Sequence, residues 1–133
     1  MSNTKTDYLE SRILDRVLKN NAQFIYTFPA TVYVALFTAD PTEAGLLTNE
    51  VTGGSYARQP ITWGTIAAGS VSNSVAVSFP TASGSWGTVT HMAIMDALTS
   101  GNALYYGSLG TSKTVGIGDD VSFAIGTLTI TED

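Results

Sequence analysis

The sequence predicts a mainly β fold, an antiparallel β-sandwich of about seven strands preceded by one amphipathic helix. Three observations carry that reading. Runs rich in Val, Ile, Thr and aromatic residues recur along the chain, separated by Gly, Pro, Asn and Asp. Two of these runs, at 31–38 and 88–95, are apolar on both alternating faces, the pattern of strands in the middle of a sheet. Only one stretch, near the start, repeats apolar residues at helical spacing.

That stretch comes first. Thr4 and Asp7 fit a capping box, after which Leu9, Ile13 and Val17 recur every fourth residue with Leu14 and Leu18 beside them. Arg12, Asp15, Arg16 and Lys19 fall largely on the opposite side, and Asn20–Asn21 offers a stop, so a helix is predicted over 5–20. Its apolar stripe needs a cover, because a lone helix of this length is marginal in water. Either the protein's own sheet supplies it, which is the ordinary arrangement, or another subunit does. The chain accordingly divides into a helical arm at 1–20 and a β-sandwich domain at 21–133.

After Phe28–Pro29, residues 31–38 alternate Val32, Val34 and Leu36 with Tyr33, Ala35 and Phe37, giving a strand buried on both faces. The long loop at 39–54 holds Pro41, Gly45, Gly53 and Gly54 with the acids Asp40, Glu43 and Glu50, and a loop of this length in a small domain is commonly an interface. A strand at 55–63 contains Pro60, which cannot donate to a ladder and so belongs at an edge or bulge. Residues 64–70 read as loop, and 74–79 as a strand with Val75, Val77 and Phe79 inward. The organising hairpin follows: 88–95 goes out, 96–101 turns, and 102–106 returns toward Leu109. Residues 110–120 read as a turn-rich connection. The last strand places Val121, Phe123 and Ile125 on odd positions but Leu128 and Ile130 on even ones, so a β-bulge is predicted at Gly126–Thr127. Val34, Leu36, Val77, Ile94, Leu104 and Phe123 are the predicted core.

A chain of 133 residues suits one domain. Charged residues make up only 13%, against roughly 25% in an ordinary globular domain, while Ser and Thr number 13 and 19. Much of the surface is therefore neutral and polar, or covered by neighbours. The net charge is -5, with Lys5, Arg12, Arg16 and Lys19 gathered at the start and only Arg58 and Lys113 beyond. Such an acidic body repels phosphate, which argues against a nucleic-acid partner. With no Cys there is neither a disulfide framework nor a thiolate metal site, in keeping with synthesis in a reducing cytoplasm. No apolar leader or long apolar run predicts secretion by a signal peptide or a membrane partner.

No residue pattern names a reaction. His91, the one histidine, lies mid-strand, Asp96 faces the other way by strand parity, and no nucleophile elbow occurs, so a structural or interface role is expected. Asp119 and Asp120 beside Gly116 and Gly118 lack the spacing of a calcium loop, as do Asp40, Glu43 and Glu50. Trp63, Trp86, Tyr33, Tyr56, Tyr105 and Tyr106 offer faces for stacking on sugar rings, although aromatics in a small β domain ordinarily build the core. No catalytic residue, cofactor or metal is expected.

The segments Pro29-Ala-Thr-Val-Tyr-Val-Ala-Leu-Phe-Thr-Ala-Asp-Pro-Thr-Glu-Ala-Gly45, Glu50-Val-Thr-Gly-Gly-Ser-Tyr-Ala-Arg58 and Ser85-Trp-Gly-Thr-Val-Thr-His91, in that order, resemble a family of small virion proteins of tailed bacteriophages. Its members are variously described as tail-fibre-like or head decoration proteins. The resemblance implies a non-enzymatic structural protein of the virion, assembled in the host cytoplasm. A lone domain without a shaft points to a capsid cement or decoration protein on the major capsid protein shell, and a tail adaptor or receptor-binding tip, with host glycans as ligands, is the alternative. The resemblance further implies a homo-oligomer, a trimer by preference, contacting other virion proteins. The candidate interface residues are Lys5, Arg12, Arg16 and Lys19 on the helix and Asp40, Glu43 and Glu50 in the long loop.

Overall fold

The computed structural model describes residues 4–19 and 29–132. In chain order its elements are β1 (Thr4–Lys5), helix α1 (Asp7–Leu14) continued by a π-helical segment (Asp15–Lys19), β2 (Tyr33–Phe37), β3 (Gln59–Pro60), β4 (Ser70–Ser72), β5 (Val77–Ser78), β6 (Gly87–Met95), β7 (Ala103–Val115), β8 (Ser122–Phe123) and β9 (Thr129–Thr131). Five strands form one antiparallel sheet in the order β1-β7-β6-β2-β3. Two small ladders, β4-β9 and β5-β8, supply a second layer, so the molecule is mainly β and sandwich-like.

The β6–β7 hairpin is the centre of the large sheet, as its two-faced apolar pattern predicts. Val34, Leu36, Met92 and Ile94 point to one side and meet Val71, Val77, Leu128 and Ile130 of the small ladders. Ala35, Phe37, Ala93, Met95 and Ala103 point to the other, where Leu47 of the long loop packs on them. Pro60 lies in the edge strand β3, where a missing donor does no harm.

Several boundaries differ from the expectation. Lys5 belongs to a strand rather than a helix, and the cap is Thr6 rather than Thr4: its side chain accepts a hydrogen bond from the Leu9 backbone N–H. Pairing with β7 competes for the first residues and wins. The helix stop expected at Asn20–Asn21, the boundary at 20/21 and Phe28 lie outside the described residues. Residues 110–115, expected to be connection, continue β7 to Val115, because the Thr-rich segment pairs with 87–89 beyond a register shift between Val89 and His91. The expected strand at 74–79 shrinks to Val77–Ser78, leaving Val75 exposed, while Ser70–Ser72 forms β4 where loop was expected.

The end of the chain departs furthest. Instead of one bulged strand there are two, β8 on β5 and β9 on β4, in different ladders. Gly126, at φ 80°, makes the break between them, and Asn73 clamps it by accepting from the Gly126 and Leu128 N–H groups while donating to the Ala124 and Val75 carbonyls. Leu128 is fully buried, but Phe123 only partly so.

Candidate interaction surfaces

Thr6 fixes where the helix leaves the sheet. It is fully buried; its hydroxyl donates to the Ala103 carbonyl (2.6 Å) while accepting from Leu9, and its N–H donates to the Leu104 carbonyl (2.9 Å). Leu9 is the last stripe residue that the protein buries. Further along, Leu14 is 56% exposed and Val17 and Leu18 are 72% exposed. The stripe therefore lacks the cover that its pattern calls for. Arg12 lies over the Tyr8 ring, 5.1 Å from its centroid, and Arg16 and Lys19 follow on the π-helical segment.

At the base of the helix, Lys5 reaches across to the far end of the chain. Its ammonium donates to Glu132 Oε2 at 2.6 Å, and the Tyr105 hydroxyl donates to Oε1 of the same carboxylate. Partial burial pulls the Glu132 carboxyl upward, but the bonds from Lys5 and Tyr105 outweigh it and hold it below the ordinary range. Burial, then the Glu132 bond, push the Tyr105 hydroxyl upward. Beside this network runs an apolar groove of about 350 Å³ lined by Val32, Trp63, Ile66, Leu104 and Ile130 and rimmed by Glu132. Ile66 projects into solvent there, 73% exposed.

The long loop is pinned at both ends. Near its start the Asp40 carboxylate accepts from the Thr42 N–H (2.8 Å) and lies 3.9 Å from His91 Nε2, while the Glu43 carbonyl accepts from the Asp7 N–H (2.9 Å). His91 Nδ1 shares a hydrogen with the Thr90 hydroxyl at 2.8 Å. At its end Glu50 turns inward. Arg58 donates to both of its oxygens at 2.7 Å and to the Ala97 and Ser100 carbonyls at 2.8 and 2.7 Å, tying the loop to the hairpin tip. Tyr56 adds a third donor to Glu50 and accepts from the Leu36 N–H. The Glu50 bond raises the Arg58 pKa against the pull of burial, and burial followed by Glu50 raises that of Tyr56.

The candidate residues thus form two groups. Lys5, Arg12, Arg16 and Lys19 ride on the N-terminal segment, and Asp40 and Glu43 lie at the part of the loop that this segment touches: both acids raise the pKa of Tyr106, after burial, and Tyr106 pairs with Thr4. Glu50 stands apart, held by Arg58. Asp119 closes a local turn by accepting from the Gly116 N–H and Asp120 ties that turn to Thr81 by accepting from its hydroxyl, and the described residues contain no cluster suited to a metal ion. Of the aromatics considered for sugar stacking, Trp86 and Tyr56 build the core with Phe79, whereas Trp63 and Tyr105 reach the groove. Sequence reasoning missed the groove, since its lining is drawn from separate segments, and missed the Arg58 clamp, although an arginine two residues after a tyrosine in a base-poor body was a usable sign.

None of the described helices is long and apolar enough to cross a membrane. No curated protein matches the chain. A family model described as "Podophage GP4 fiber I protein gp80" matches residues 4–131. The match takes in β1, α1, the five-stranded sheet and both small ladders, and the chain therefore belongs to this family of phage virion structural proteins.

Proposed function

We propose that this chain is a fibre-type component of a tailed-phage particle, a non-enzymatic building block that attaches to other virion proteins and to its own copies through the N-terminal segment. The family match over residues 4–131 carries this reading, and it favours the fibre alternative over the capsid-cement role expected from the resemblance. Two features support it. The helical segment is held at its base by Thr6 and Leu9 yet carries uncovered Leu14, Val17 and Leu18, and the body is locked by the Glu50–Arg58 clamp into a rigid platform. Lys5, Arg12, Arg16 and Lys19, with Asp40 and Glu43 beside them, are the contact residues in this reading, and host glycans remain the ligand class for an outward-facing tip. Copy number decides between the two virion roles. Antibody labelling and stained gels of purified particles should find few copies, absent from tail-less heads; hundreds of copies retained on such heads would overturn the fibre reading in favour of cement.

A further inference from the structure

We infer that the uncovered stripe Leu14, Val17 and Leu18 of one copy seats in the groove lined by Val32, Trp63, Ile66, Leu104 and Ile130 of the next, closing a ring of identical chains. The inference deepens the self-association in the proposed function and concerns only how copies meet. Both halves of the contact are present on one chain: an apolar helical ridge that no described residue covers and an apolar groove that no described residue fills. They cannot satisfy each other within that chain. Thr6 and β1 fix the helix base beside the groove's own rim, at Lys5–Glu132, and the ridge begins eight residues further on, about 12 Å along the axis at 1.5 Å per residue. No α1 residue lines the groove.

Charge selects the same occupant. Residues 12–19 carry Arg12, Arg16 and Lys19 against Asp15 alone, whereas residues 29–132 carry Arg58 and Lys113 against seven carboxylates. Two bodies repel, but the helix end of one copy and the body of another attract. Because ridge and groove are different surfaces, each copy gives one contact and receives one, and the set closes as a reciprocal pair or a larger ring according to the rotation between copies.

The full chain, examined by sedimentation and light scattering at micromolar concentration, tests this. Wild type should have a mass that is a whole multiple of the monomer's, a closed oligomer, loosening as salt rises. Leu18→Asp, with Val17→Asp as a second ridge variant, and Ile66→Asp in the groove should each be monomeric yet fold with a cooperative melt, below wild type only by what assembly adds, since all three side chains point mainly into solvent in the single chain. Mixing Leu18→Asp with Ile66→Asp should restore one good contact and give a one-to-one dimer. Monomeric wild type would overturn the inference, as would variants that stay assembled, or a mixture that stays monomeric, which would mean that like surfaces pair. The fibre reading rests on location in the particle and survives each of those outcomes.

Discussion

Arg58 is 5% exposed and keeps Glu50 as its charge partner inside the protein, so Glu50→Ala would strand a guanidinium away from water. A cost of about 3–5 kcal/mol is expected from breaking a buried pair on one side, read from urea unfolding of the variant and wild type. Tyr56 would lose its acceptor in the same change. Glu132 makes a different, pH-dependent contribution. Its carboxyl is held below the ordinary value, so the folded state binds its proton less readily than the unfolded chain. The stability it adds is therefore present above the ordinary carboxylate pKa of about 4.5 and is lost as pH falls through the lower folded value. Melting temperatures of wild type and Glu132→Gln should differ at pH 7 and converge as pH falls through the lowered folded value of Glu132.

At the scale of the element, glycines at positive φ separate strain from crowding. A side chain at Gly126 would meet nothing within 4 Å, so Gly126→Ala should cost only the left-handed backbone, about 1–2 kcal/mol. At Gly54 the added Cβ would lie 2.8 Å from Trp86 Nε1 as well, and Gly54→Ala should lower the melting temperature further than Gly126→Ala; equal shifts would show that Trp86 gives way freely. The central strands were legible because burial on both faces leaves a continuous apolar run, and in such a strand Leu36→Ala should cost about 2–5 kcal/mol. The phase change after Ile125 was legible too, but a change of parity looks the same whether a strand bulges or passes to a new partner. Only tertiary pairing, with Asn73 clamping the crossing, distinguishes the two. The strand at Thr4–Lys5 and the extension of β7 left no periodic signal, since each is decided by a partner distant in sequence. The helix stripe could be read, but its exposure could not, because a pattern records the need for a cover and not its source.

On the scale of the whole molecule, the N-terminal segment both completes the sheet and carries the free ridge, and deletion separates these roles. Removing residues 1–20 takes away β1, the Thr6 bonds and the burial of Leu9, whose side chain alone is worth about 2 kcal/mol. Both the truncated body and Leu18→Asp should fail to associate, but the truncated body should melt at a lower temperature than monomeric Leu18→Asp; a truncation as stable as that variant would mean that the β7 edge needs no cover. The pairing of Lys5 with Glu132 spans 127 residues, and β1 aligns with Tyr105 and Tyr106. During synthesis, then, the helical ridge leaves the ribosome well before its partners, and its mooring cannot form until the hairpin has emerged and is finished only when Glu132 has. A nascent chain thus displays its sticky ridge on a loose tether and cannot present it at a fixed angle to a neighbour. For copies that meet as inferred above, growing chains on one message are spared premature closure, and competence to assemble arrives together with β9.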